Sequence, residues 1–74
     1  GSQMSAKIHM RIDEIRAVDT VEEMIQFRIG RCHALKGNRK GQYAVDLEHP
    51  YRLVFTKHGN EIEIAHILEI VDYH

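Results

Sequence analysis

The spacing of apolar residues in this chain changes once, at Gly41, and that change restricts the fold more than any other feature. Before it, Ile8, Ile12 and Ile15 recur four and three residues apart, with Arg11, Asp13, Glu14 and Arg16 between them. That pattern predicts an amphipathic helix from about Ser5 to Val18. Asp19-Thr20 interrupts it, and Thr20 followed by Glu23 has the spacing of a capping box, which starts a second helix. Val21, Met24, Ile25 and Ile29 supply its apolar stripe as far as Gly30. After Gly41 the period is two. Tyr43, Val45 and Leu47 alternate with Gln42, Ala44 and Asp46, and Tyr51, Leu53 and Phe55 alternate with Arg52, Val54 and Thr56.

Glu48-His49-Pro50 joins these two strands, and Lys57-His58-Gly59-Asn60 reads as a hairpin loop to a third strand, from Glu61 to about Asp72. Ile62, Ile64, Leu68 and Ile70 are expected on one face of that strand, and Glu61, Glu63 and Glu69 on the other. The class is α+β: two N-terminal helices packed on a three-stranded antiparallel sheet.

At 74 residues the chain is one domain near the lower size limit for a core, where disulfides are the common remedy. A lone cysteine, Cys32, excludes an internal bridge and favours a reducing, cytoplasmic setting. Its expected role is a small, semi-buried apolar residue. No apolar run is long enough to cross a membrane. Gly1-Ser2-Gln3 reads as a tag remnant, which leaves residues 4–74 as the domain.

The formal net charge of −1 hides a local concentration of cations. Arg28, Arg31, Lys36, Arg39 and Lys40 fall in one stretch with no acidic residue between Arg28 and Lys40. Clustered cations are the footprint of a polyanion site, because each one near a phosphate displaces a condensed counterion. Six histidines invite a metal site, but His33, His49, His58, His66 and His74 are far apart and no second cysteine is near, so no metal and no cofactor are expected. His9 and His58 read as exposed, and His66 as a hydrogen-bonded histidine on the Ile62/Ile64/Leu68 side of the third strand. What remains is His33 and Lys36 at the helix-to-strand connection, Arg52 on the central hairpin, and Tyr73-His74 continuing the last strand. Those residue types suit RNA cleavage without a metal. Cations stabilise charge on a pentavalent phosphate, while His or Tyr moves protons near neutral pH.

The run from Cys32-His33-Ala34-Leu35-Lys36-Gly37 through Tyr43-Ala44-Val45, then Pro50-Tyr51-Arg52-Leu53-Val54-Phe55, then Ile70-Val71-Asp72-Tyr73-His74 resembles the plasmid-maintenance killer proteins. These are the HigB-like branch of the RelE/ParE toxin superfamily, and the resemblance spans about Ile8 to His74. It implies a small bacterial toxin neutralised by a cognate antitoxin protein, acting as a ribosome-dependent endoribonuclease on mRNA. It places His33, Lys36, Arg52, Tyr73 and His74 at the catalytic positions. His74 or Tyr73 would be general acid or base, with Lys36 and Arg52 steadying charge and His33 assisting proton transfer. Arg28, Arg31, Arg39 and Lys40 would hold ribosomal or messenger RNA backbone. The strand and helix with which that family opens are missing ahead of this chain's first helix. An open sheet edge recruits partners, so a homodimer through that edge is expected, with weakened toxicity. Two other readings fit the residues: a non-catalytic module of the same fold, binding gyrase in the ParE-like manner or binding only an antitoxin, and a small nucleic-acid-binding domain without catalysis.

Overall fold

The computed structural model describes residues 2–69. Its elements run in the order α1 (Ser2–Ala17), α2 (Val21–Gln26), a 3₁₀ turn (Ile29–Arg31), β1 (His33–Ala34), a second 3₁₀ turn (Gly37–Arg39), β2 (Tyr43–Asp46), β3 (Tyr51–His58) and β4 (Glu61–Glu69). The class is α+β, but the antiparallel sheet has four strands rather than three, in the order β1-β2-β3-β4. The extra strand is two residues long, His33 opposite Ala44 and Ala34 opposite Tyr43. Two residues carry no legible period, so the basic stretch conceals it.

Helix α1 starts three residues earlier than its apolar period indicates. Met4, Ile8, Ile12 and Ile15 lie along one side of it, and Ile15 is wholly buried. Thr20 caps α2, its Oγ1 accepting the Glu23 N–H at 3.4 Å. That helix ends sooner than expected, at Gln26, because Arg28 turns into the left-handed region at φ 56°. Ile25 is consequently exposed, and the stripe that reaches the core is Val21 and Met24, with Ile29 partly buried.

Both helices pack on one face of the sheet. Ile15, Val21, Met24 and Cys32 meet Val45, Leu47, Leu53 and Phe55, with Tyr43 and Ile62 at the margin. The Tyr43 and Phe55 rings, opposite one another in the register, lie 6.0 Å apart at 38°. Arg11 ties α1 to the sheet: its Nε donates to the Asp46 carbonyl at 2.7 Å and its Nη1 to Glu14 at 2.7 Å.

The β3–β4 hairpin differs from expectation in two ways. His58 pairs with Glu61, so the turn is only Gly59-Asn60, with Gly59 at φ 62°. More consequential is an irregularity in β4. Val54 faces His66 while Phe55 faces Ile64, which leaves Ala65 as an unpaired extra residue. A bulge of this kind reverses the alternation beyond it. Ile62 and Ile64 stay on the helix side with Phe55, whereas His66 moves to the opposite face, against the expectation that it shares their side. The remainder of the predicted third strand, Ile70 to Asp72, lies outside the described residues. No helix among the described residues is long and apolar enough to cross a membrane.

Candidate phosphate-binding face

The face of the sheet turned away from the helices collects the polar side chains that matter. The register places His33, Ala44, Val54 and His66 in one row across β1, β2, β3 and β4. Arg52, opposite Asp46, is on the same face one row over. Gln42, two residues before Ala44, also faces this way. Ala44 and Val54 are fully buried although no helix lies over them.

His33 and Arg52 are brought together. The imidazole Nδ1 lies 3.0 Å from the Arg31 carbonyl oxygen, which can only accept, so Nδ1 carries the proton. Nε2 then offers its lone pair to Arg52 Nη1, at 3.4 Å. The ring is thereby fixed in tautomer and orientation, with its acceptor nitrogen against a guanidinium. Arg52 Nε is buried with no partner among the described residues, and so is Gln42 Oε1. Each buried group of this kind is a donor or acceptor that a bound water or ligand can use.

Lys36 precedes the Gly37–Arg39 turn in extended conformation and is exposed; its ammonium makes no hydrogen bond or ion pair among the described residues. It lies three residues along the chain from His33. Arg39 is not free: its Nη1 is hydrogen-bonded to His66 Nε2, a residue of β4 on the far side of the face. Arg31 is also engaged, at 3.5 Å from Asp46 through its Nε. That pair is largely solvent-exposed and so weakly held. Asp46 puts an acidic group beside a region that the linear sequence presents as purely cationic. Arg28 and Lys40 are exposed, and Arg28 and Arg31 both adopt positive φ, 56° and 54°. Non-glycine residues rarely do so unless the surroundings over-determine them. Tyr73 and His74, the remaining sequence-predicted site residues, lie outside the described residues.

Sequence reasoning expects His66 to be hydrogen-bonded on the core side; it is hydrogen-bonded, but on the opposite face. It reads as a residue of the core side because the alternation looks unbroken, yet Ile64 and Ile67 are three apart, an odd interval that signals the bulge. Cys32 behaves as a core residue. Burial pushes its thiol up to about 11, so it is not poised as a nucleophile.

No family model, no curated protein and no solved structure matches the chain. The functional reading therefore rests on the residues and their arrangement.

Proposed function

We propose that this chain is the toxin component of a bacterial type II toxin–antitoxin system: a cytoplasmic, ribosome-dependent endoribonuclease that cuts mRNA without a metal. The observation that carries this reading is the His33–Arg52 pair under a basic loop. A phosphodiester entering the face gives Arg52 an anionic acceptor that a guanidinium can grip with two parallel bonds, in place of one neutral imidazole nitrogen. Moving Arg52 onto the phosphate frees His33 Nε2 as a base or proton relay. The ribose 2′-OH then attacks phosphorus, forming the 2′-O–P bond as the P–O5′ bond breaks. The 2′ proton leaves to a basic nitrogen of the site and a proton reaches O5′, in this scheme from His74 or Tyr73. Lys36 and Arg52 stabilise the extra negative charge on the pentavalent phosphate. Arg28, Arg31, Arg39 and Lys40 hold flanking RNA backbone.

The test is 5′-end mapping of cellular mRNA after brief induction, for the wild type, Lys36→Ala, Arg52→Ala and a form lacking His74. New in-frame cuts with 5′-hydroxyl ends are expected, and each variant is expected to lose about 10²–10³-fold, the usual effect of removing one donor to a developing charge. Folded wild-type protein that makes no cuts refutes the proposal.

One observation favours a second reading, a binding module. Ile64 and Ile67 on β4 are 40% and 45% exposed on the side where the helices bury its neighbours, and β4 has no strand beyond it among the described residues. An apolar open edge suits a partner chain, either the cognate antitoxin or a second copy in a homodimer.

A further inference from the structure

The geometry points to His66 as a positioning residue of this site: by holding Arg39 across the sheet, it fixes the loop from Lys36 to Gln42 over His33 and Arg52. The inference deepens the reading of the face as a phosphate site and rests on it for the catalytic consequence only.

The argument starts from the bulge at Ala65. Without that extra residue His66 would face the helices; with it, the ring stands in the same row as His33. Three strand spacings separate the ends of that row, about 14 Å. Arg39 belongs to the connection between β1 and β2, at the opposite side of the sheet from β4. An arginine side chain is too short to span that distance, so the Lys36–Gln42 loop itself must lean over this face for Arg39 to meet His66 Nε2. Ala44 and Val54, in the middle of the row, are fully buried.

Little else fastens the loop. Its backbone bonds are internal, Lys40 N–H to the Gly37 carbonyl at 3.1 Å and Gln42 N–H to Arg39 at 2.9 Å, apart from the Leu35 N–H to Gln42 at 3.0 Å that closes its base. Gly37 and Gly41 bracket it at φ 69° and 93°, and a side chain at either would meet nothing within 4 Å. The loop thus turns on two unencumbered glycines and is tied down at Arg39. Lys36, Arg52 Nε and Gln42 Oε1, the last two with no partner among the described residues, are the groups whose placement or access depends on that tie.

Arg39 can only donate, so His66 Nε2 must carry a lone pair. A protonated ring offers none and repels the guanidinium. The tie therefore holds while His66 is neutral and is lost as acid protonates it. Among the described residues, the charged groups on this face around His66 are Arg39 from the loop, Arg52 on β3 and Glu63 on β4 beyond the bulge.

The experiment compares wild type, His66→Ala and His66→Gln, each confirmed as folded by its urea denaturation midpoint. Amide hydrogen-exchange protection of residues 37–42, corrected for intrinsic rates, is measured from pH 5 to 8. His33 ring shifts are followed by NMR on titration with inorganic phosphate. In the wild type, protection is expected to be lower at pH 5 than at pH 8. In His66→Ala it is low throughout, and phosphate binds roughly three- to tenfold more weakly, the worth of one hydrogen bond. His66→Gln presents an amide oxygen to Arg39 at every pH, so it restores protection and removes its pH dependence. Loop protection unchanged in His66→Ala, or His66→Gln behaving like His66→Ala, overturns the inference. A wild type that binds phosphate with this pattern yet cuts no RNA supports the positioning role and refutes the nuclease reading alone.

Discussion

Replacing Gly30 by alanine strikes two supports at once, and their separate costs can be worked from the geometry. Gly30 sits at φ 57°, ψ 24°, a conformation that costs an L-residue about 1–2 kcal/mol. A Cβ there would lie 2.9 Å from Arg11 Nε, 3.0 Å from Cζ and 3.2 Å from Cδ. The end of an arginine usually swings away cheaply, but this one is held by two bonds of 2.7 Å, to the Asp46 carbonyl and to Glu14, with only 13% of its side chain exposed. Displacing it forfeits a hydrogen bond from a charged donor, about 1.5–3 kcal/mol. The sum, about 2.5–5 kcal/mol, compares with a total of about 4–11 kcal/mol for a domain of this length. Urea denaturation followed by far-ultraviolet circular dichroism, on wild type, Gly30→Ala, Arg11→Ala and the double variant, separates the terms. With Arg11 already gone, Gly30→Ala is expected to cost only its backbone share, leaving a coupling of about 1.5–3 kcal/mol. Two single effects that add to within about 0.5 kcal/mol would show that the methyl group does not displace Arg11, and the reasoning would fail.

Two further outcomes test the core. The Cys32 thiol is raised from 9.0 to about 11 by burial, so at pH values between these the native state keeps a proton that the unfolded chain has lost. Stability then falls as pH rises, by about 2–3 kcal/mol at the upper end, and Cys32→Ala is expected to lack that share of the alkaline decline in denaturation curves. Phe55, wholly buried between the helices and β2, is expected to cost about 3–5 kcal/mol as Phe55→Ala, whereas Phe27→Ser, at a position 69% exposed, stays within about 0.5 kcal/mol in the same assay.

What was legible in the sequence follows from where one face is buried and the other is not. The stripe of Ile8, Ile12 and Ile15 announces α1, and the alternation through Tyr43–Leu47 and Tyr51–Phe55 announces β2 and β3, because the helices cover one side of each. The two-residue β1 has no such contrast, and only its pairing with β2 reveals it. The bulge at Ala65 was hidden because Ile62, Ile64 and Leu68 mimic continuous alternation. The error it caused was functional, since it put His66 on the wrong face. Of the candidate site, the residue types and their basic surroundings were legible, but the His33–Arg52 contact was not. It arises because successive hairpins stack His33, Ala44 and Val54 in register, and Arg52 lies beside that row. Arg39 was readable as a cation and not as a tether, because its partner is 27 residues away.

The uninterrupted β1-β2-β3-β4 order also fixes a timetable for synthesis. Each strand pairs with its successor in the chain, so the hairpins close as soon as they emerge, within microseconds. Helix α1 has no such neighbour. Its apolar side is buried by residues of β2 and β3, and about 40 residues separate the end of α1 from the end of β3, which translation at about 5–20 residues per second covers in about 2–8 s. Throughout that interval α1 lacks the β2 and β3 residues that bury its apolar side, and a 16-residue helix by itself is only marginally stable in water. The nascent chain therefore shows Ile8, Ile12 and Ile15 to the cell before its own sheet exists to cover them.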